Sequence, residues 1–405
     1  MATLIKSVTT DLALNGGEPV RRSVLPYGRP CVDAGDVQAM AQVLDTEWLT
    51  TGPKVAEFEK AFADFVGTKE AVAVCNGTAA LHSAVYALGI GSGDEVIVPA
   101  MTFAATANCV VYQRGTPIFA DVDPETLLLD PAEVEKKITS RTKALIAVDY
   151  AGQPCDYDVL RNVAESHDLK LVDDACHAVG GAYKGRTVGS LADLNTFSFH
   201  PVKHFTTGEG GMITTDDRLL AQRMRTFRNH GITSDHRQRA EQGGFFYEMV
   251  DLGFNYRLTD FQCALGLSQL PKVPDFVARR QAIAGFYDKA FAGIPGIQPL
   301  KVRSAVSHAY HLYIVQLDLE QLTVDRATIF SALRAEGIGV NVHYIPVYLH
   351  PFYRANYGLA PGLCPVAEAA YQRMVSLPIF PEMTQDDMND VVSALEKVAY
   401  FFRRK

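Results

Sequence analysis

The chain has 405 residues, 48% hydrophobic and 21% charged, a balance that excludes a disordered or collagen-like polymer. Lys and Arg total 38 against 46 Asp and Glu, a formal charge of −8, so composition offers no general attraction to nucleic acid or an anionic membrane. No uncharged apolar stretch of about 18 residues is present, so no transmembrane helix is expected.

The opening segment MATLIKSVTTDLALNGG lacks an apolar core of signal-peptide length. Residues 1–30 read as an irregular N-terminal arm with Gly16, Gly17, Pro19, Pro26 and Pro30. Asp33 is placed to cap a helix running through DAGDVQAMAQVLDT. A second helix, 54–65, puts Val55, Phe58, Phe62 and Phe65 on one face. Short apolar runs then alternate with helical stretches. Strands are predicted at 71–75, 95–100, 117–122, 144–150 and 169–175, and helices at 78–88, around 102–114 and at 158–168. Val/Ile/Ala strands separated by helices signal a mainly parallel sheet covered on both faces. Two further strands, 196–200 and 210–216, are joined by a polar loop.

The pattern changes near Pro271 and Pro274. A helix (275–292), a strand (309–319), a helix (324–336), a strand-like stretch (340–346) and a last helix from Thr384 follow, with Thr384 and Asp387 spaced as a capping box. The expected organisation is an arm (1–30), a large α/β domain (31–270) and a smaller α+β domain (271–405). The seven cysteines, at 31, 75, 109, 155, 176, 263 and 364, form no CxxC pair and read as buried free thiols of a reducing compartment. A cytoplasmic enzyme is the expectation.

Four segments carry chemistry. Cys75-Asn76-Gly77-Thr78-Ala79-Ala80 joins a strand to a helix, where free N–H groups and the helix dipole favour a phosphate. Alone, it also fits an ordinary N-cap turn. Asp173-Asp174-Ala175-Cys176-His177 ends a strand, where ligand-binding residues of open α/β sheets gather. A carboxylate there suits a protonated pyridine nitrogen, a helix cap or a metal, although no second His/Cys cluster supports the metal. In FSFHPVKHFTTGEGG an apolar strand delivers Lys203 into a loop rich in Gly and Thr, a setting for a partly buried amine able to form a Schiff base with an aldehyde cofactor. The fourth segment, Asp251 to Asp260, holds Asn255, Tyr256 and Arg257 ahead of a helix capped by Thr259, and also reads as a loop entering a core helix. His308 and His311, placed on a strand three residues apart, would face opposite ways and share no metal. Tyr344, Tyr348, Phe352 and Tyr353 divide between a sugar-binding wall and core.

Together these motifs resemble the DegT/DnrJ/EryC1/StrS family of pyridoxal 5'-phosphate (PLP)-dependent sugar aminotransferases. The resemblance runs from TEWLTTGPKVAEFE through NGTAALH, DEVIVPAMTFAATAN, FADVDPET, DDACHAVGGAYKG, FSFHPVKHFTTGEGG and GFNYRLTD to VHYIPVYLHPFY. It implies the fold-type-I, aspartate-aminotransferase-like architecture of a mainly parallel large domain with a smaller α+β domain. It also implies PLP as cofactor, with catalytic Lys203 as Schiff-base lysine and Asp174 paired with the pyridine nitrogen. His177 would contact the phenolic oxygen and Phe103 would stack on the ring. Thr78, the Gly77–Ala79 backbone and Ser198 would hold the phosphate, joined by Asn255 from a neighbouring subunit of a homodimer. His343, Tyr344, Tyr256 and Arg257 would face the sugar nucleotide.

The implied reaction moves an amino group from an amino acid, expected to be L-glutamate, to the 4-keto carbon of a nucleotide-linked deoxysugar. FSFHPVKHFTTGEGG, AGQPCD and VHYIPVYLHPFY look most like the subgroup of UDP-4-amino-4,6-dideoxy-N-acetyl-β-L-altrosamine transaminases of pseudaminic acid biosynthesis. The longer arm, LALNGGEPVRRS, resembles relatives acting on other keto-sugars or aminocyclitols. Rival readings are a PLP-dependent dehydratase, against which Lys203 argues, a non-catalytic protein that kept the fold, and a Rossmann oxidoreductase, against which the missing GxGxxG argues.

Overall fold

The computed structural model describes residues 11–404, except 235–236, 238 and 240–242. The sequence readings for residues 1–10 of the arm lie outside the described residues. A seven-stranded sheet forms the centre. Its strands are β1 (Glu70–Val74), β2 (Glu95–Pro99), β3 (Thr116–Ala120), β4 (Thr142–Val148), β5 (Lys170–Asp174), β6 (Leu194–Ser198) and β7 (Gly211–Thr215), in the order β1-β7-β6-β5-β4-β2-β3. Neighbours pair in parallel except where β7 runs antiparallel to both β1 and β6. Six strands therefore point the same way, and their carboxyl ends share one edge. β2 is buried along its whole length: Val96, Ile97 and Val98 lie between two helix layers, and its buried Glu95 is paired with Arg141.

The helices that matter here are α1 (Ala34–Leu44), α2 (Pro53–Val66), α3 (Gly77–Ala87), α4 (Ala104–Tyr112), α5 (Tyr157–Ser166), α6 (Arg218–Phe227), α7 (Asp260–Gln269), α8 (Val273–Phe291), α9 (Arg326–Ala335) and α10 (Gln385–Phe402). Three start where the sequence signals. Asp33 forms a capping box with Asp36, Thr384 forms one with Asp387, and the Gln262 side chain accepts from the Thr259 N–H at 3.2 Å.

Buried apolar residues form two clusters. The first surrounds the seven-stranded sheet. The second is built by α8, α9, α10 and a three-stranded antiparallel sheet of β8 (Ile297–Pro299), β9 (Tyr313–Leu317) and β10 (Met374–Leu377). Chain order does not separate the two. Leu12 and Leu25, from the segment read as an arm, lie in the second cluster. Glu336 fastens that segment by accepting from the N–H groups of Ala13 (2.8 Å) and Val20 (3.0 Å) while pairing with Lys397 at 2.9 Å. Conversely, Tyr348, Tyr353, Cys364 and Ala367 return to the first cluster, where Tyr353 donates to Asn108 Oδ1 at 2.6 Å.

Several local expectations change. The strand read at 309–319 starts only at Tyr313, because Tyr310 adopts φ +51° and the Ala309 and Leu312 N–H groups bond to Gly152 and Ala151. His308 and His311 therefore precede the strand, so alternation along a strand does not govern where they face. Residues 340–346 make only an isolated bridge, Asn341 to Ser376. All seven cysteines are free thiols, but Cys31, Cys75 and Cys176 are only partly buried. Among the described residues, no helix is long and apolar enough to cross a membrane, and no group of three His, Cys, Asp or Glu side chains could hold a metal ion.

α2 and α7 pack so closely that Gly266 leaves no room for a side chain. A Cβ there would sit 2.6 Å from Phe58 Cζ, on a fully buried ring wedged against Phe199 at 5.5 Å. Gly266→Ala is expected to destabilise the chain by about 1–3 kcal/mol, read from the midpoint of urea unfolding.

Candidate active site

Because six strands run the same way, the segments after β1, β2, β5 and β6 meet at one edge, the place where open α/β sheets bind ligands. They line a cavity of about 580 Å³, with walls that include Gly77, Thr78, Phe103, Asp174, His177, Ser198, Lys203, His343 and Tyr344. That is the size range of a small-molecule site.

One end of the cavity is the start of α3. The Asn76 side chain accepts from the Ala79 N–H at 2.8 Å, and its carbonyl accepts from Ala80 at 3.1 Å. This corrects the expected phosphate cradle. The Ala79 N–H is already capped and Ala79 is buried away from the cavity wall, so Gly77 and Thr78 offer the open N–H groups of the first turn. Ser198 closes over this turn. A Cβ on Gly77 would lie 2.9 Å from Ser198 Cβ and 3.3 Å from Cys176 Sγ, so only glycine lets the three segments converge. Gly211 serves the same approach from β7, where a Cβ would lie 2.5 Å from the Asn76 carbonyl oxygen.

Asp174, at the end of β5, accepts from Thr106 Oγ1 at 2.7 Å and from the Cys176 N–H at 3.3 Å. Its neighbour Asp173 points to the other face, as strand alternation demands, and is fully buried near Asp149. Burial raises the proton affinity of both Asp149 and Asp173, helped by the Asp174 charge at each and by Asp149 at Asp173. Lys203 reaches the cavity from the loop after β6. Burial pushes its pKa down, opposed by the nearby Cys176 and Asp174.

Imidazoles crowd this amine. His311 Nε2 lies 3.5 Å from Lys203 Nζ, and the His177 and His311 ring centroids are 4.4 Å apart. His177 Nε2 meets the Tyr344 hydroxyl at 3.0 Å, while the Nδ1 atoms of His177, His204 and His311 are buried without a partner. Burial lowers the pKa of all three rings, and the Lys203 charge adds to the effect. The cluster is therefore held neutral. Across the cavity, His343 Nδ1 meets Ser376 Oγ at 2.8 Å, and burial lowers its pKa to about 4. Phe103 leans toward Tyr344 with centroids 5.9 Å apart and is 59% exposed, leaving an aromatic face open to a planar ligand.

The wall also holds residues that the sequence reading did not assign to the site, among them Tyr27, Thr102, His311 and Asn341. Tyr27 comes from the segment read as an arm, and its ring lies 5.5 Å from that of His343. Of the four aromatic residues read as wall or core, Tyr344 lines the cavity and Tyr348 and Tyr353 are core, but Phe352 is exposed and is neither.

Asn255, Tyr256 and Arg257 do not reach this cavity. Asn255 is exposed and forms a bridge with Asn229. The Tyr256 hydroxyl meets His82 Nδ1 at 3.1 Å, and Arg257 donates to Asn229 Oδ1 at 2.8 Å beside a separate cavity of about 260 Å³.

An anion seat at a helix start, an aromatic face, a buried carboxylate and a depressed lysine around one cavity match the chemical parts of PLP. The family profile described as the DegT/DnrJ/EryC1/StrS aminotransferase family matches residues 30–396. The spore coat polysaccharide biosynthesis protein SpsC of Bacillus subtilis is 43% identical over 380 residues, 93% of this chain and 98% of that protein. Helicobacter pylori PseC, an aminotransferase involved in the biosynthesis of pseudoaminic acid, superposes with TM-score 0.88 at 32% identity, covering 94% of this chain and 100% of that one. The PLP form of Streptococcus pneumoniae Spr1654 superposes with TM-score 0.87 at 32% identity, covering 93% and 99% of the two chains. The sequence match across almost the whole chain and the shared aminotransferase fold agree: the chain belongs to the DegT/DnrJ/EryC1/StrS family and is a PLP-dependent aminotransferase.

Proposed function

We propose that the cavity transfers an amino group from L-glutamate to the 4-keto carbon of a nucleotide-linked deoxysugar. The observation that carries this reading is the convergence of Lys203, Asp174 and the α3 N-terminus on one cavity. In it, Gly77, Thr78 and Ser198 would hold the cofactor phosphate, Asp174 would pair with the ring nitrogen, and Phe103 and His177 would contact the ring and its phenolic oxygen. Tyr27, Asn341, His343 and Tyr344 supply polar groups to the sugar. The narrower substrate is UDP-2-acetamido-2,6-dideoxy-hexos-4-ulose, supported by the motif resemblance and by the role of PseC.

PLP, when bound, supplies the electron sink that makes a carbon–hydrogen bond next to the transferred nitrogen acidic. The side chains do the rest. Asp174 offers the counter-charge at the ring nitrogen. Lys203 Nζ takes a proton from the donor α-carbon and later delivers one to the sugar carbon that receives nitrogen. Burial loosens the hold of Lys203 on its proton, which suits an amine that must gain and lose one in each half-reaction.

The same reading places Asn255 in the site of a neighbouring subunit. Phe245, Met249 and Leu252, just before it, are 89%, 67% and 72% exposed, an apolar run suited to burial against a second copy. The proposed species is a cytoplasmic homodimer.

Glutamate added to the purified holoenzyme should shift absorbance within roughly 320–430 nm, the region of PLP bound through an amine. A UDP-linked 4-keto sugar should then reverse the shift. Reversal only by a dTDP-linked sugar or scyllo-inosose would reassign the substrate, and no response to glutamate would remove the donor. Lys203→Ala should retain PLP and lose turnover by about 10³-fold or more; undiminished turnover would reject Lys203. In the cofactor-free chain, pH-dependent acylation should show Lys203 reacting at lower pH than surface lysines, because a depressed pKa leaves the amine unprotonated further down the scale. An ordinary lysine profile would contradict this.

A further inference from the structure

α4 carries a hydroxyl relay that neither the motifs nor the family match assigns. Thr106 Oγ1, fully buried on α4, donates to Asp174 Oδ2 at 2.7 Å. The same oxygen lies 2.7 Å from Thr102 Oγ1, on the cavity wall just ahead of the helix. A hydroxyl has one proton to donate, and an ionised carboxylate only accepts. Thr106 spends its proton on Asp174, so Thr102 must be the donor in the second bond. The polarity therefore runs one way, from Thr102 through Thr106 to Asp174, and Thr102 turns only acceptor capacity toward the cavity. Asp174 Oδ1 is engaged by the Cys176 N–H at 3.3 Å, so both carboxylate oxygens are held from the protein side.

We propose that Thr106 is a positioning residue for the cofactor, acting through Asp174: its hydroxyl fixes the carboxylate rotamer and favours the ionised form, so that the proton resides on the cofactor ring nitrogen. The role matters because the groups near Asp174 work in opposition. Asp149 and Asp173 lie behind it and Lys203 in front, all close enough to feel its charge. A charge-assisted hydroxyl bond in a dry setting is strong enough to weigh in this balance.

The inference rests on Asp174 facing the ring nitrogen, and the experiment separates the two. Apo forms of wild type, Thr106→Val, Thr106→Ser and Asp174→Asn are titrated with PLP, following affinity and the absorbance of the bound form, with thermal melting of each. Valine keeps the shape of threonine and removes the bond. Thr106→Val is expected to bind PLP about tenfold or more weakly, with an altered absorbance band, and Thr106→Ser to restore both. Wild-type affinity and spectrum in Thr106→Val, beside a weakened Asp174→Asn, would overturn the Thr106 role alone. Equal losses in the valine and serine variants would also overturn it, since packing would then be the cause. Wild-type behaviour of Asp174→Asn would overturn the reading of Asp174 itself.

Discussion

Everything at the site depends on a common strand direction. Six of seven strands run parallel, and only β7 opposes them. Segments separated by more than a hundred residues, Gly77 after β1 and Lys203 after β6, thereby open onto the same edge. β7 then closes the sheet between β1 and β6, and the absence of a side chain at Gly211 lets its first residue slide beneath Asn76. No single motif creates the cavity. The sheet direction does, and the glycines set how tightly its lining closes.

Electrostatics follow from what that closure buries. An ammonium, three carboxyls and several imidazoles share a region with little water. The imidazoles resolve the conflict by staying neutral, since burial and the Lys203 charge both disfavour a second cation. Asp149 and Asp173 resolve it by raised proton affinity. Asp174 instead accepts hydrogen bonds from the Thr106 hydroxyl and the Cys176 N–H, with Lys203 nearby. Acid and base functions are thus sorted by surroundings rather than by residue type.

Most of the central sheet was legible because buried parallel strands are continuous apolar runs and their helices carry local start signals such as Asp33 and Thr384. Gly77, Thr78, Asp174 and Lys203 were legible as site candidates because each sits at or just past a strand end, whereas Ser198 came only from the family resemblance. What stayed hidden depends on distant contacts. Tyr27 reads as a loop residue, and only the anchoring of its segment near Glu336 brings it to the cavity. His311 was read as part of the strand at 309–319, yet bonds from the Ala309 and Leu312 N–H groups to Gly152 and Ala151 hold it outside the ladder. Thr106 lay unremarked in the helical stretch read around 102–114. Its role appears only when α4 packs against the end of β5. Ala79 erred the other way: it lies inside the motif, but Asn76 had claimed its N–H.

The first described residues of the chain have a history as well as a place. Leu12 and Leu25 are buried by α8, α9 and α10, and the Ala13 and Val20 N–H groups meet a carboxylate more than three hundred positions later. During synthesis this segment is made some three hundred residues ahead of its partners and waits for them. Its two leucines are then exposed apolar surface on a nascent chain, the kind of surface that chaperones shield. Tyr27 is drawn in with it, so the cavity cannot complete its wall until the last helix has been made. Final assembly of the site thereby waits for the residues of α8, α9 and α10, although most of its lining is encoded at or before Lys203.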